Sequence, residues 1–173
     1  MTYDLPIQQT LRRVDTRFQL GFATEAKERI PEGDGFVLSP SRQGLHVLAR
    51  NEDRLSVPVE TLRLVYGPAL EVGPPTVRFI EGVQVQEPIM HVRISLSEKR
   101  WIGPVRRALS ARRATLEEEY VGTRHAVLRY EAPLARLIGL PAELLGLTDG
   151  NARYWIVLSH YALVTGDPGG TAA

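Results

Sequence analysis

Polar and apolar residues alternate most regularly over residues 88–96. Ile89, His91, Arg93 and Ser95 fall on one side, and Met90, Val92, Ile94 and Leu96 on the other. A period of two predicts a half-buried strand. A polar turn over 97–100 follows. Then Ile102, Val105 and Leu109 recur at helical spacing, with Pro104 in the first turn, where it is tolerated. A helix is expected over 103–113. Next come two strand-like runs, 115–120 and 124–130, joined across Val121-Gly122-Thr123 as a hairpin. Residues 133–147 read as helix broken by Gly139 and Pro141 into two short segments, and 152–164 as a final strand.

The first half repeats this order less clearly. Residues 1–15 are weakly patterned, and IQQTLRRVD reads as a short helix or a loose arm. In TRFQLGFA, residues 16–23, Phe18, Leu20 and Phe22 alternate, so a strand is expected there. A weak helix of barely two turns follows before Pro31. Residues 35–39 and 44–50 form a hairpin pattern around Pro40-Ser41-Arg42-Gln43. Residues 53–66 carry Leu55, Val59, Leu62 and Tyr66 on one helical stripe, stopped by Gly67-Pro68, and 76–80 read as a short strand.

Two successive β-α-β-β-α-β orders predict an α+β chain of two ferredoxin-like split-βαβ sandwiches in tandem. The expected division is 1–82 and 83–166, with 167–173 a disordered tail that has nothing to bury. Units of this size bury little surface alone, so the halves are expected to pack together.

Composition narrows the function. Among 173 residues there is no cysteine, which excludes disulfides and thiolate metal sites. No apolar run is long enough to span a bilayer and the N-terminus carries no signal pattern, so no membrane partner and a cytoplasmic location are expected. The net charge is only +1, yet all but Lys27 and Lys99 of the 21 basic residues are Arg. Arg suits bidentate phosphate recognition, and a genome's composition bias gives the same excess.

The candidate interface is the set Arg100, Arg106, Arg107, Arg112 and Arg113. On the 103–113 helix, Arg100 and Arg107 fall opposite the apolar stripe, Arg106 and Arg113 at its flank, and Arg112 near the stripe itself. Such a band suits a phosphate backbone. Pairing with Glu117-Glu118-Glu119 is the alternative. His91, His125 and His160 sit on expected strands, with no Ser or Asp at catalytic spacing and no metal-ligand set legible by spacing. Trp101 and Trp155 read as packing residues. No catalytic residue, cofactor or metal is expected. There is no G-x-x-x-x-G-K-[ST] phosphate loop.

The second half resembles the fifth domain of translational GTPases of the elongation factor G type. The resemblance is carried by Glu87-Pro88-Ile89-Met90, Ile102-Gly103 with Val105 and Leu109, Arg112-Arg113, Ala132-Pro133-Leu134-Ala135 with Gly139, Leu147-Thr148 with Gly150, Tyr154, and Ser159-His160-Tyr161. The first half is similar to the third domain through 45–62, Val72-Gly73, Pro75, Val77, Phe79 and Glu81. The direct join through EGVQVQEP, without a fourth domain, is similar to BipA-type factors. Departures are Ala114 where the family has glycine after the Arg pair, and Asn151 where it has Arg. Only Arg112 and Arg113 match the family motif among the five arginines.

The resemblance implies the ribosome-facing rear of such a factor without its GTPase domain. The expected function is non-enzymatic: binding the ribosome's factor-binding region through rRNA phosphates and nearby ribosomal protein, by the five arginines and His160, so as to modulate or mimic an elongation factor. The alternative is a protein–protein module, the detached rear half of a split factor whose GTPase lies on a separate chain. An acylphosphatase-like hydrolase on the same fold would need a phosphate-cradling loop with a positioned Arg and Asn, and none is legible.

Overall fold

The computed structural model describes residues 4–31 and 33–164. The expected tail at 167–173 lies outside them. The first unit runs β1 (Ile7–Arg13), α1 (Gln19–Arg29), β2 (Phe36–Ser41), β3 (Gly44–Ala49), a 3-10 turn (Glu52–Leu55) leading into α2 (Ser56–Tyr66), then β4 (Leu70–Val72) and β5 (Thr76–Val77). The strands form one antiparallel sheet in the order β2-β3-β1-β4, with β5 also on β1.

The element order is as expected, but two assignments are corrected. Residues 16–23 are not a strand: they lead into α1. The expected short helix or loose arm is instead the strand β1. In α1 the inward stripe is Phe22, Ala23 and Ala26, at helical spacing, while Phe18 and Leu20 face solvent. The small alanines let the helix approach the sheet closely. Buried Gln19 fixes where the helix starts: its Oε1 accepts from Arg13 N at 3.0 Å, and its Nε2 donates to the carbonyls of Arg13 and Thr16 at 2.7 and 2.8 Å. The closing strand is split as well. β4 pairs with residues 11–13 and β5 with 7–8, because Gly73-Pro74-Pro75 interrupts the ladder between them. In the β2–β3 hairpin, Gly44 has φ 133° and lies so close to the Leu11 carbonyl that a Cβ would stand 2.3 Å from it. Only glycine fits there.

The second unit runs β6 (Gln86–Leu96), a 3-10 turn (Lys99–Trp101), α3 (Ile102–Ala111), β7 (Thr115–Val121), β8 (Ala126–Pro133), α4 (Leu134–Leu137), α5 (Leu140–Leu147) and β9 (Arg153–Leu163). Its sheet is antiparallel in the order β7-β8-β6-β9. The inward faces of the strands supply Met90, Val92, Ile94, Leu128, Tyr130 and Ile156. The helices cover them with Val105, Leu109, Leu137, Leu140 and Leu144. Each fully buried Leu contributes about 1.5–3 kcal/mol. Both units are thus α+β with helices on one sheet face, the split-βαβ sandwich.

Three consecutive residues before α2 join the units. Asn51 caps the 3-10 turn by accepting from Arg54 N, and its Nδ2 donates to the Ile156 carbonyl at 3.3 Å. Glu52 Oε2 accepts from Gly139 N at 2.9 Å. Asp53 Oδ1 accepts from the Tyr154 hydroxyl at 2.9 Å.

Candidate nucleic-acid interface

Helix α3 buries Ile102, Val105, Ala108 and Leu109, which fixes the direction of every other side chain on it. Arg107 points away from the core and lies back along the helix, its Nη1 3.6 Å from where a Cβ on Gly103 would stand. Neither Arg107 nor the guanidinium of Arg113 makes a hydrogen bond or ion pair with any described residue. Of the five candidate arginines, these two are free to take an external anion.

The other three arginines are engaged. Arg100 pairs with Glu98 at 2.8 Å and stacks over Trp101, 4.4 Å from the ring centroid. Arg106 pairs with Glu119 on β7. Those are exposed pairs of the kind that contribute little, about 0–1 kcal/mol. Arg112 is different. Its Nε and Nη2 donate to Glu143 Oε2 at 3.0 and 2.7 Å. Its Nη1 donates to the carbonyls of Arg136 and Ile138 at 2.8 and 2.9 Å. The side chain is only 21% exposed. It staples the end of α3 to the α4–α5 connection, and it is spent on that role.

The end of α3 explains how Arg113 comes to be displayed. Arg112 is the last residue in helical register, and Arg113 takes φ 54°. Arg113 N donates to the Ser110 carbonyl at 2.9 Å, and Ala114 N to the Leu109 carbonyl at 3.0 Å. This is the paired closing bond of a Schellman motif, in which glycine is the usual left-handed residue. Here that residue is Arg113, one position before Ala114. The turn therefore forms without the family's glycine. Arg136, on α4, donates through Nη1 to the Arg113 carbonyl at 3.3 Å. A further guanidinium thus stands beside Arg113. Sequence spacing could not place it, because the contact is set by how α4 folds back on α3.

His160 does not join the arginines. It lies on β9, on the sheet face opposite the helices, where its Nδ1 is 2.9 Å from Ser159 Oγ and 3.9 Å from Glu131 Oε1. His91 Nδ1 lies 3.3 Å from Glu117 Oε2 and 3.8 Å from Glu131 Oε2 on the same face. The spacing of these residues along the chain hides the cluster, and the strand register assembles it. Trp155 is also on this face and half exposed, with Arg93 5.2 Å over its ring, whereas Trp101 packs against the core.

A pair of split-βαβ sandwiches, the second carrying a basic helix on its covered side, defines the class of protein. A crystal structure of a protein from Thermus thermophilus shares this fold over 92% of the chain, with TM-score 0.66 and 16% identity. The chain spans 41% of that protein's length. Residues 84–171, about half of the chain, match the family model described as elongation factor G C-terminus. The chain belongs to that family.

Proposed function

We propose that this chain is a translation-factor-like module that binds the ribosome non-enzymatically. It contacts rRNA phosphates of the factor-binding region, together with nearby ribosomal protein, through the solvent side of α3, and so modulates or mimics an elongation factor. The observation that carries this reading is the pair of unpartnered guanidiniums, Arg107 and Arg113, with Arg136 beside the latter, on the unit that matches the family. Arg100 and Arg106 stand at the edges of this field, and their exposed pairs are weak enough to exchange a carboxylate for a phosphate. Arg112 and His160 drop out of the contact set, the first as a staple and the second as a residue of the other face. No helix among the described residues is long and apolar enough to cross a membrane. A cytoplasmic location follows from the ribosomal partner proposed.

One observation favours a second reading, docking to a GTPase on a separate chain. The first unit exposes Phe18 at 82% and Leu64 at 90%, with Val14 and Val65 also largely open. Large apolar side chains so exposed suit a protein partner better than RNA. Pelleting the purified chain through a sucrose cushion with purified ribosomes separates the readings. Binding lost in Arg107→Glu plus Arg113→Glu, and kept in Phe18→Ser plus Leu64→Ser, supports the first. No pelleting of the parent chain refutes it.

A further inference from the structure

The open face of the second sheet carries a group that the ribosome reading does not use. We propose that His91, Glu117, Glu131 and His160 form a binding site for a transition-metal dication, Zn²⁺ in preference to Mg²⁺ or Ca²⁺.

The strands gather His91, Glu117 and Glu131 together and set His160 next to Glu131. His91 and Glu131 are direct cross-strand partners on the two central strands, β6 and β8. Glu117 lies two residues after Thr115, the cross-strand partner of Glu131, and so shares that face, whereas His160 arrives by a register break. On β7, Leu116 pairs with Tyr130 and Glu118 with Arg129, so Glu117 is an extra residue with no partner. The bulge places Glu117 and Glu118 on the same face. Glu118 takes Arg129 at 2.9 Å, and Glu117 turns to His91. On β9, Leu158 pairs with Met90 and His160 with Ile89, so Ser159 is the extra residue. Without that bulge His160 would face the helices. With it, His160 reaches Glu131. The β9 bulge thus brings His160 beside Glu131, while Glu117 reaches His91 from the face it already shares with Thr115. Re-aiming a side chain is a recurrent use of a bulge.

The donor geometry fits. One ring nitrogen of His91 and one carboxylate oxygen each of Glu117 and Glu131 lie within 4.8 Å of one another. The separations 3.3, 3.8 and 3.9 Å along the chain Glu117–His91–Glu131–His160 are close to the roughly 3.4 Å between neighbouring ligands in a tetrahedral zinc site. The two oxygens of Glu131 face different imidazoles, so a small rotation brings one of them to an ion shared with His91. His160 Nδ1 exchanges the Ser159 hydroxyl for the ion. Two imidazoles with two carboxylates select Zn²⁺ or its transition-metal neighbours, since Mg²⁺ and Ca²⁺ take oxygen ligands. A bound ion would tie together all four strands of this sheet.

The full chain is titrated with Zn²⁺ by calorimetry and with Co²⁺ by visible absorption. The expected result is one ion per chain, an intense tetrahedral-type Co²⁺ spectrum and a higher melting temperature with Zn²⁺. His91→Ala and Glu117→Gln are each expected to weaken Zn²⁺ binding at least ten-fold, and His160→Ala to change the Co²⁺ spectrum. His125→Ala, on the turn after β7, should leave all of these as in the parent. Glu117→Gln alters an exposed edge-strand residue, so it keeps the test valid if His91→Ala fails to fold. Failure of the parent to bind Zn²⁺, or Glu117→Gln binding as tightly as the parent, would overturn the proposal. Neither outcome depends on the ribosome.

Discussion

Arg112 is the residue at which a structural and a ligand-binding role are most sharply opposed. Replacing it with Ala removes two bonds to Glu143 and one each to the Arg136 and Ile138 carbonyls. Hydrogen bonds involving an ionised group contribute about 1.5–3 kcal/mol each when removed singly, and bonds sharing one side chain do not add. Glu143 is 40% exposed and the bond to the Arg136 carbonyl is solvent-exposed, so water recovers much of the loss. A net cost of about 2–3 kcal/mol results. For a chain of this length that lowers the melting temperature by roughly 4–10 °C. Arg112→Lys keeps the charge but cannot reach Glu143 and two carbonyls at once, and it should recover less than half of the loss. Differential scanning calorimetry reads the stability, and ribosome pelleting well below the melting temperature reads the binding. Stability should fall in both variants while binding changes little. A parent-like melt combined with lost pelleting would refute the staple and return Arg112 to the ligand.

Arg113→Gly relieves a left-handed backbone that costs a non-glycine residue about 1–2 kcal/mol, so this variant should melt higher than the parent while binding ribosomes less well; a lower melting temperature would mean that the Arg113 side chain has a structural partner. The Tyr154 phenol is pushed up to about 12 by burial, with its hydrogen bond to Asp53 adding to the effect. The stability this confers is full below the ordinary tyrosine value near 10 and is lost as pH rises through about 12. Ultraviolet titration should show a phenolate that forms late and that Asp53→Asn brings earlier, and titration of every tyrosine near the ordinary value would contradict it. A fragment of residues 83–166 should fold cooperatively by itself, melting below the full chain because Gly139 N and the Tyr154 hydroxyl lose Glu52 and Asp53; a molten fragment would mean that the two units share a single core.

The second unit was legible in the sequence because its strands alternate cleanly and its helix carries one apolar stripe. The break at Gly139 and Pro141 was equally legible, since Gly139 at φ 81° ends α4 and opens α5. The first unit misleads for a physical reason. Ile7 and Leu11 are four residues apart, a spacing that suits a helix as well as a strand, and Gln9 between them is polar because its amide donates to the Gly73 carbonyl. Phe18 and Leu20 then imitate a strand while facing solvent. At the candidate interface the sequence identified the arginines and the carboxylates that compete for them, but not which would be taken. Arg106 finds Glu119 because the β7 bulge turns that carboxylate toward the helix layer. Arg112 finds Glu143 through a loop closure 31 residues long. His160 joins the cluster around His91 only through the β9 bulge, which no periodicity records.

The central claim is that Arg107 and Arg113 neutralise phosphates, and the salt dependence of ribosome binding measures this directly. Each neutralised phosphate adds nearly one to the slope of log affinity against log salt. Two such contacts predict a loss of about ten-fold in affinity between roughly 50 and 200 mM salt for the parent. In Arg107→Glu plus Arg113→Glu the slope should fall by nearly two, with the far-ultraviolet circular dichroism spectrum unchanged. A parent slope near zero, or the same slope in parent and variant, would contradict the claim.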